Sequence, residues 1–596
     1  MTDVDTLERA GALLQAGQPI AGAAICGAIL AREPRNAIAA HLLGLALKET
    51  GDWSQGERWL RFSIEIEPDR GEFHANLGNL LRKSEQYVNA ESAYRRAVQL
   101  LPHHRAARRG LAQTLNDLNR PGEAEAHCRE LLASDAGDGE AWEILALALT
   151  ALGRTVEAEA AHRQAIALNP ADAIAHHNLG ALLVSMKRPE AMKSLQTARG
   201  LGIEGYNETY NRGGAALNLG DLEGAEAAFV RAVELRPLDP EAQRMLARIR
   251  FMRGDPAFVR SLGTAMRANR DNMPLQSLLA ELLWHAGDLS SAETLLRDAL
   301  GRAQSGAARS MLAMVLLDQG RLEEAEAEAL EAAAATPGAP LITANLVAIL
   351  IARGRAEEAM PFIEAQLQRD PFAQEWLAYE ATAARMLGAS RYRELYDYDA
   401  LVRTFDIAPP PGFASMPAFN LALADALNET HGSRRELLDQ TVRNGTQSLR
   451  SLLADSSPVV RAALKAFGAP IDEYCRALAL NDQHPLARIR DGEVRFTGAW
   501  SVRLQRGGYH VNHVHSAGIV SSAYYIEVPE EMQDAALKSG WLKFGEPRYP
   551  AAGLGPEHFV QPRPGRLVLF PSYMWHGTNA IYGAAHCLSL AFDIAV

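Results

Sequence analysis

The stretch ESAYRRAVQLLP, residues Glu91–Pro102, has two close counterparts in the chain, EAAHRQAIALNP (Glu159–Pro170) and GAEAAFVRAVELRP (Gly224–Pro237). Each reads as a helix closed by proline, which lacks an N–H and whose ring clashes with the preceding turn. Working outward, prolines stand at positions 34, 68, 102 and 170, with Ala136 in the intervening slot, so that each step is 34 residues. The spacing resumes from Pro337 to Pro371. Gly44, Gly78 and Gly180 share one phase of the step, and Ala90, Ala124 and Ala158 another. Small residues at fixed phases let two antiparallel helices approach closely, which predicts a stack of helix pairs.

These features resemble the tetratricopeptide repeat, and they predict an all-α tetratricopeptide superhelix over residues 1–385. Such arrays bury each pair against its neighbours and leave a concave surface, which implies a protein or peptide partner; spacing or dimerising the molecule is the plainer alternative. The run LEEAEAEALEAAAA (Leu322–Ala335) reads as a solvated helical face.

The 596 residues exceed one core, so at least two folded units are expected. With 60 basic against 72 acidic residues the formal charge is -12, and no basic block compensates locally, which argues against nucleic acid as a partner. The acidic start MTDVDTLERAG lacks the positive n-region of a secretory signal, and the apolar run GAAICGAILA before Arg32 is too short to span a bilayer. No membrane association and a cytoplasmic address are expected. Cys26, Cys128, Cys475 and Cys587 are far apart and form no CxxC pair, so they are expected to be reduced, mostly buried thiols.

The pattern changes near residue 385. YRELYDYDALVRTFDIAPPPGFAS (Tyr392–Ser415) reads as a linker or a strand leading out of the repeats, and helical periodicity returns over 417–480. Residues 386–480 are therefore taken as a linker and helical connecting segment. From EVRFTGAWSVRLQ onward, alternation, aromatics and glycine- and proline-rich turns predict a separate β domain over 481–596.

Within that domain, GGYHVNHVHSAG (Gly507–Gly518) places three histidines within six residues. If the strand continues through it, His513 and His515 share one face and His510 and Asn512 the other. A third histidine, His576, closes GRLVLFPSYMWHGT (Gly565–Thr578), where a strand and a turn would bring it back beside the first pair. Neutral imidazoles favour iron, copper, nickel or zinc, so His513, His515 and His576 are the candidate metal ligands, against the plainer reading of histidines that only support the structure.

The segment WSVRLQRGGYHVNHVHSAGIVSSAYYIEVP, followed by GWLKFGEP, PGRLVLFPSYMWHGT and LSLAFDI, resembles bacterial tetratricopeptide-linked iron(II)/2-oxoglutarate oxygenases. The resemblance implies a double-stranded β-helix (jelly-roll, cupin-like) with helical support, Fe(II) as metal and 2-oxoglutarate as cosubstrate. His513 would be the first ligand and His576 the distal one. His515 stands where most of the wider superfamily places a carboxylate. The family's arginine for the far carboxylate of 2-oxoglutarate falls on Cys587, with His586 just before it, and a thiol cannot replace a guanidinium. Substitute cations are Arg503, on the assumption that Ser501, Arg503 and Gln505 face the pocket and Trp500, Val502 and Leu504 do not, and Lys543 in GWLKFGEP. Tyr524 and Tyr525 read as packing residues.

The function implied is oxygenation of a protein or peptide held by the repeats. Two other readings stand beside it: a tetratricopeptide scaffold with a catalytically silent β domain, and a cupin-like metal dioxygenase that does not use 2-oxoglutarate. Neither a phosphate-binding GxxxxGK[ST] loop nor an HExxH zinc-peptidase motif occurs.

Overall fold

A computed structural model of the chain describes residues 3–478, 484–489, 492–549, 551–583 and 586–596. It contains two compact units, one of Met1–Met186 with Glu190–Ile203 and one of Lys187–Pro189 with Glu204–Val596. The change of pattern after residue 385 is thus internal to the second unit, and the expected boundary at 480/481 lies outside the described residues.

The first unit is helical, in pairs such as Gly71–Lys83 with Tyr87–Leu100 and Arg105–Asp117 with Pro121–Ser134. The periodic prolines do what the spacing predicts. Pro68, Pro102 and Pro170 each follow immediately on the C-cap residue of a second helix, Glu67, Leu101 and Asn169. The phase glycines mark close helix approaches: a Cβ on Gly44 would lie 2.8 Å from Leu60, on Gly78 2.8 Å from Tyr94, and on Gly180 2.7 Å from Leu195. Ala90, Ala124 and Ala158 are fully buried at the partner phase. First helices are capped by short acceptors such as Asn36, Asp138 and Asp172, whose side chains take an otherwise unpaired N–H of the first turn.

The second unit continues the pattern from Tyr206–Asn218 to Gln374–Leu387. Among the described residues nine strands follow: β1 (Arg403–Asp406), β2 (Val442–Gln447), β3 (Arg495–His510), β4 (Val520–Glu527), β5 (Leu542–Phe544), β6 (His558–Val560), β7 (Arg566–Pro571), β8 (His576–Thr578) and β9 (Cys587–Ala595). They form a six-stranded sheet of order β1-β7-β4-β9-β3-β2 and a three-stranded sheet of order β6-β5-β8, with antiparallel pairing throughout. Of the segment read as a linker or a strand, Arg403–Asp406 is a strand, β1, which pairs with β7 as the edge of the larger sheet, and residues 407–411 lie outside it. Two of that sheet's six strands, β1 and β2, come from the connecting segment.

One core runs from the last repeat helices into the sheets, through Trp376, Leu401, Phe419, Phe467, Tyr524 and Phe592. Hydrogen bonds tie the same parts together. Trp575 Nε1 donates to Thr382 Oγ1 at 2.9 Å, and the Tyr396 hydroxyl accepts from Trp575 N at 2.8 Å while donating to Tyr573 O at 3.1 Å. All four cysteines are free and buried. Among the described residues no helix is long and apolar enough to cross a membrane.

Candidate metal centre

Chain order brings the histidines together through backbone pairing. β8 pairs with β5, setting His576 opposite Phe544. β3 ends at His510, and just beyond it His513 forms an isolated bridge to His576, with N–H···O distances of 2.9 and 3.1 Å in the two directions. Two residues on, His515 N donates to Ser572 O at 3.0 Å. Both early histidines are therefore pinned against the segment that carries the late one.

Each ring is oriented by its Nδ1. His513 Nδ1 lies 2.8 Å from Val511 O, His576 Nδ1 2.9 Å from Met574 O, and His515 Nδ1 2.7 Å from Asp593 Oδ1. A carbonyl or carboxylate oxygen can only accept, so each Nδ1 carries the proton, and each Nε2 of a neutral ring presents a lone pair. The three rings offer ligand atoms within 4.8 Å of one another, and His513 Nε2 faces His515 Nε2 at 3.0 Å. Burial, together with the neighbouring imidazoles, holds His513 and His576 well below the usual histidine range, so both are neutral. The facing Nε2 atoms of His513 and His515 are spaced as two nitrogens that share one ion would be. Nitrogens at about 2.0–2.1 Å from one ion and at right angles to each other are about 3 Å apart, which is the separation found.

Asp593 completes the support. Its Oδ1 accepts from His515 Nδ1 and from Ser521 Oγ, both at 2.7 Å, and Ser521 Oγ lies 2.9 Å from Ser572 Oγ. A carboxylate behind a ligating imidazole fixes its tautomer and raises its basicity. The sequence reading assigns Asp593, in LSLAFDI, no role. The signal that finds it is alternation in β9, which turns Cys587, Ser589, Ala591 and Asp593 toward one cavity and leaves a single acid among small residues.

That cavity, of about 460 Å³, lies between the two sheets and holds all three histidines in its wall. Residues 498–593 match the family described as "Putative 2OG-Fe(II) oxygenase", and tetratricopeptide repeat families match 81–148, 210–257, 277–340 and 310–374. The chain carries tetratricopeptide repeats and a C-terminal domain of that oxygenase family. No curated protein matches the chain. Among solved structures it is similar to a tetratricopeptide repeat protein from Parabacteroides merdae (17% identity, TM-score 0.35, 41% of this chain and 97% of that one). Yeast Tom70 is another (13% identity, TM-score 0.39, 67% and 97%), as is a thermophilic repeat protein from Thermus thermophilus (23% identity, TM-score 0.26, 29% and 95%). Likenesses of that degree say nothing of binding or activity.

The oxygenase domain departs from the sequence reading in the faces of its strands. Because β3 stops at His510, alternation does not carry through the histidine segment: His510 stacks on His513 with ring centroids 6.0 Å apart and lines the same cavity. The polar face of β3 does not look inward either. Trp500, Val502 and Leu504 line the cavity, whereas Arg503 faces the connecting segment and donates to Asn428 Oδ1 at 3.4 Å. Lys543 is corrected for the same reason: its neighbour Leu542 faces the cavity, and its ammonium pairs with Glu546. His586 points outward to Glu527 at 2.8 Å. Cys587 does line the cavity, and burial pushes its thiol up to about 12. Tyr524 packs as expected, donating to Asn420 Oδ1 at 2.7 Å, but Tyr525 lines the cavity.

Among the described residues of the wall, Arg548 is the one permanent cation, and the sequence reading missed it. It follows β5 in a segment where Gly545 N donates to Trp575 O at 3.0 Å and Asn512 Nδ2 donates to Pro547 O at 3.2 Å, so it reaches the cavity from the histidine end. The family implies Fe(II) and 2-oxoglutarate. Iron fits the donor set. The second carboxylate of 2-oxoglutarate does not fit at the family's usual place, since no described cation lines the cavity beside Cys587.

Proposed function

We propose that the C-terminal domain is a non-haem iron(II) oxygenase of double-stranded β-helix type, that it binds the metal through His513, His515 and His576, and that it acts on a polypeptide segment brought by the helical repeats. The observation that carries this reading is the orientation of the three rings, with every Nδ1 hydrogen committed to an oxygen, the Nε2 atoms of His513 and His515 turned toward each other, and ligand atoms of all three rings within 4.8 Å. Bound iron(II) would supply activation of dioxygen for insertion of an oxygen atom into a C–H bond, the chemistry that the family description implies.

The chain's own residues have definable parts in this. Asp593 holds the Nδ1 proton of His515 and so keeps Nε2 as a donor. Phe570, whose ring lies 4.6 Å from that of His576, and Trp500, at 5.6 Å from His515, give the metal end apolar walls that limit water. A polypeptide substrate is supported by how the repeats reach the cavity. Gln440 and Thr441 line it, the adjoining Asp439 pairs with Arg248 on the helix Pro240–Met252, and Arg434 N donates to Met252 O at 2.9 Å.

Anaerobic titration with Fe(II), followed by desalting and metal analysis, tests the reading. One equivalent retained by the native protein and lost in His576→Ala is expected; no retention by the native protein would reject it.

A further inference from the structure

The cavity is charged at one end only. Arg548 stands at the histidine end, exposed, with its guanidinium 5.4 Å from the ring centre of Tyr549 and without an ion pair among the described residues. From the histidines to Cys587 the wall is neutral. β9 contributes Ala591, Ser589 and Cys587, and β3 contributes Val502 and Leu504, the register setting Leu504 against Cys587. Tyr525 joins them from β4 opposite Ser589, at 4% exposure, and its hydroxyl has no hydrogen-bond partner among the described residues.

A carboxylate at this end would lose its water and meet a thiol, hydroxyls, alkyl groups and the Gln447 amide, with no cation among the described residues. Burying an unpaired charge is strongly unfavourable, whereas an alkyl tail would gain from the same walls. The neighbouring basic side chains do not help, because Arg503 and Lys543 turn away and His586 lies outside with Glu527. Burial also keeps the Cys587 thiol protonated, so this end carries no charge of its own.

We infer that the cosubstrate of this domain is a 2-oxo acid with an uncharged, apolar tail lodged at the Cys587 end, in place of the dicarboxylic 2-oxoglutarate. The inference rests on the proposed iron site and narrows the class of acid that joins it.

The experiment uses the full chain under anaerobic conditions. Retained Fe(II) is measured first, and 2-oxoglutarate or 4-methyl-2-oxopentanoate is then titrated in while the visible charge-transfer band is followed. The expected result is that 4-methyl-2-oxopentanoate binds about tenfold or more tightly than 2-oxoglutarate. Cys587→Arg, which restores a fork for the far carboxylate, should reverse the order. Equal or tighter binding of 2-oxoglutarate by the native protein would overturn the inference while leaving the iron site intact. If that binding were lost in Arg548→Gln, the mouth guanidinium would be its anchor. Iron retained with no band for either acid would also overturn it, and iron not retained would fail the underlying reading instead. The native titration decides the matter even if Cys587→Arg does not fold.

Discussion

Asp593 Oδ1 lies 2.7 Å from His515 Nδ1, on the side of the imidazole opposite the Nε2 that meets His513. Removing the carboxylate leaves all three rings present but frees one of them to turn. Asp593→Ala is expected to lower iron affinity about 10–100-fold. Competitive titration against a chelator of known strength checks this, and an unchanged affinity would show that the carboxylate has no part in the site.

Arg503 and Lys543 look away from the cavity. Arg503→Gln and Lys543→Gln should therefore leave both iron retention and 2-oxo acid affinity unchanged. A weakening of more than about threefold in either would place that side chain at the ligand, because loss of a charge-assisted contact costs at least that much.

Tyr396, in the connecting segment, is tied to the residues between β7 and β8 through one hydroxyl that both accepts from Trp575 N and donates to Tyr573 O. Tyr396→Phe leaves a buried N–H and a buried C=O without their partner. A loss of about 2–4 kcal/mol is expected. Calorimetry or denaturant unfolding of the full chain should show the transition of the second unit moved and that of the first unmoved.

His431 is buried, with Nδ1 2.8 Å from Thr446 Oγ1 and Nε2 2.9 Å from Ser501 Oγ. Burial first, then the charges of Arg503 and His586, push its pKa from 6.5 down to about 4. As pH falls the unfolded chain takes up this proton before the folded one does. The stability that neutral His431 confers is complete above about pH 6.5 and is lost progressively as pH falls to about 4, up to about 3 kcal/mol. Comparing the melting temperature at pH 7 and pH 5 should give a larger drop for the native protein than for His431→Gln; equal drops would rule the residue out as a source of acid sensitivity.

In the first unit a Cβ on Gly110 would lie 2.5 Å from the Tyr94 ring. Gly110→Ala is expected to cost about 1–3 kcal/mol there. Iron retention should be unaffected, and a melting curve with a metal assay on one sample tests both statements.

The repeats were legible because a single geometric demand, close approach of two helices followed by a stop, recurs at fixed spacing in Gly44, Gly78 and Gly180 and in the prolines after the second helices. The gathering of the three histidines was legible, since few roles other than ligation crowd imidazoles so densely. The faces of β3 were not. Both sides of that strand are covered, one by the cavity and the other by the connecting segment, where Ser501 bonds to His431 and Ser501 N to Ser448. Polarity alternates there without marking which side faces the ligand. Arg548 lies in a loop, where no periodicity exists to read, and Asp593 needed its partner His515 to acquire a meaning.

The helix Gln374–Leu387 ends the array, and through Thr382 it also holds the tryptophan next to His576. It therefore belongs to two structures at once, and the halves of this chain cannot be exchanged like cassettes. A change in this last helix is therefore felt at the histidines it helps to set.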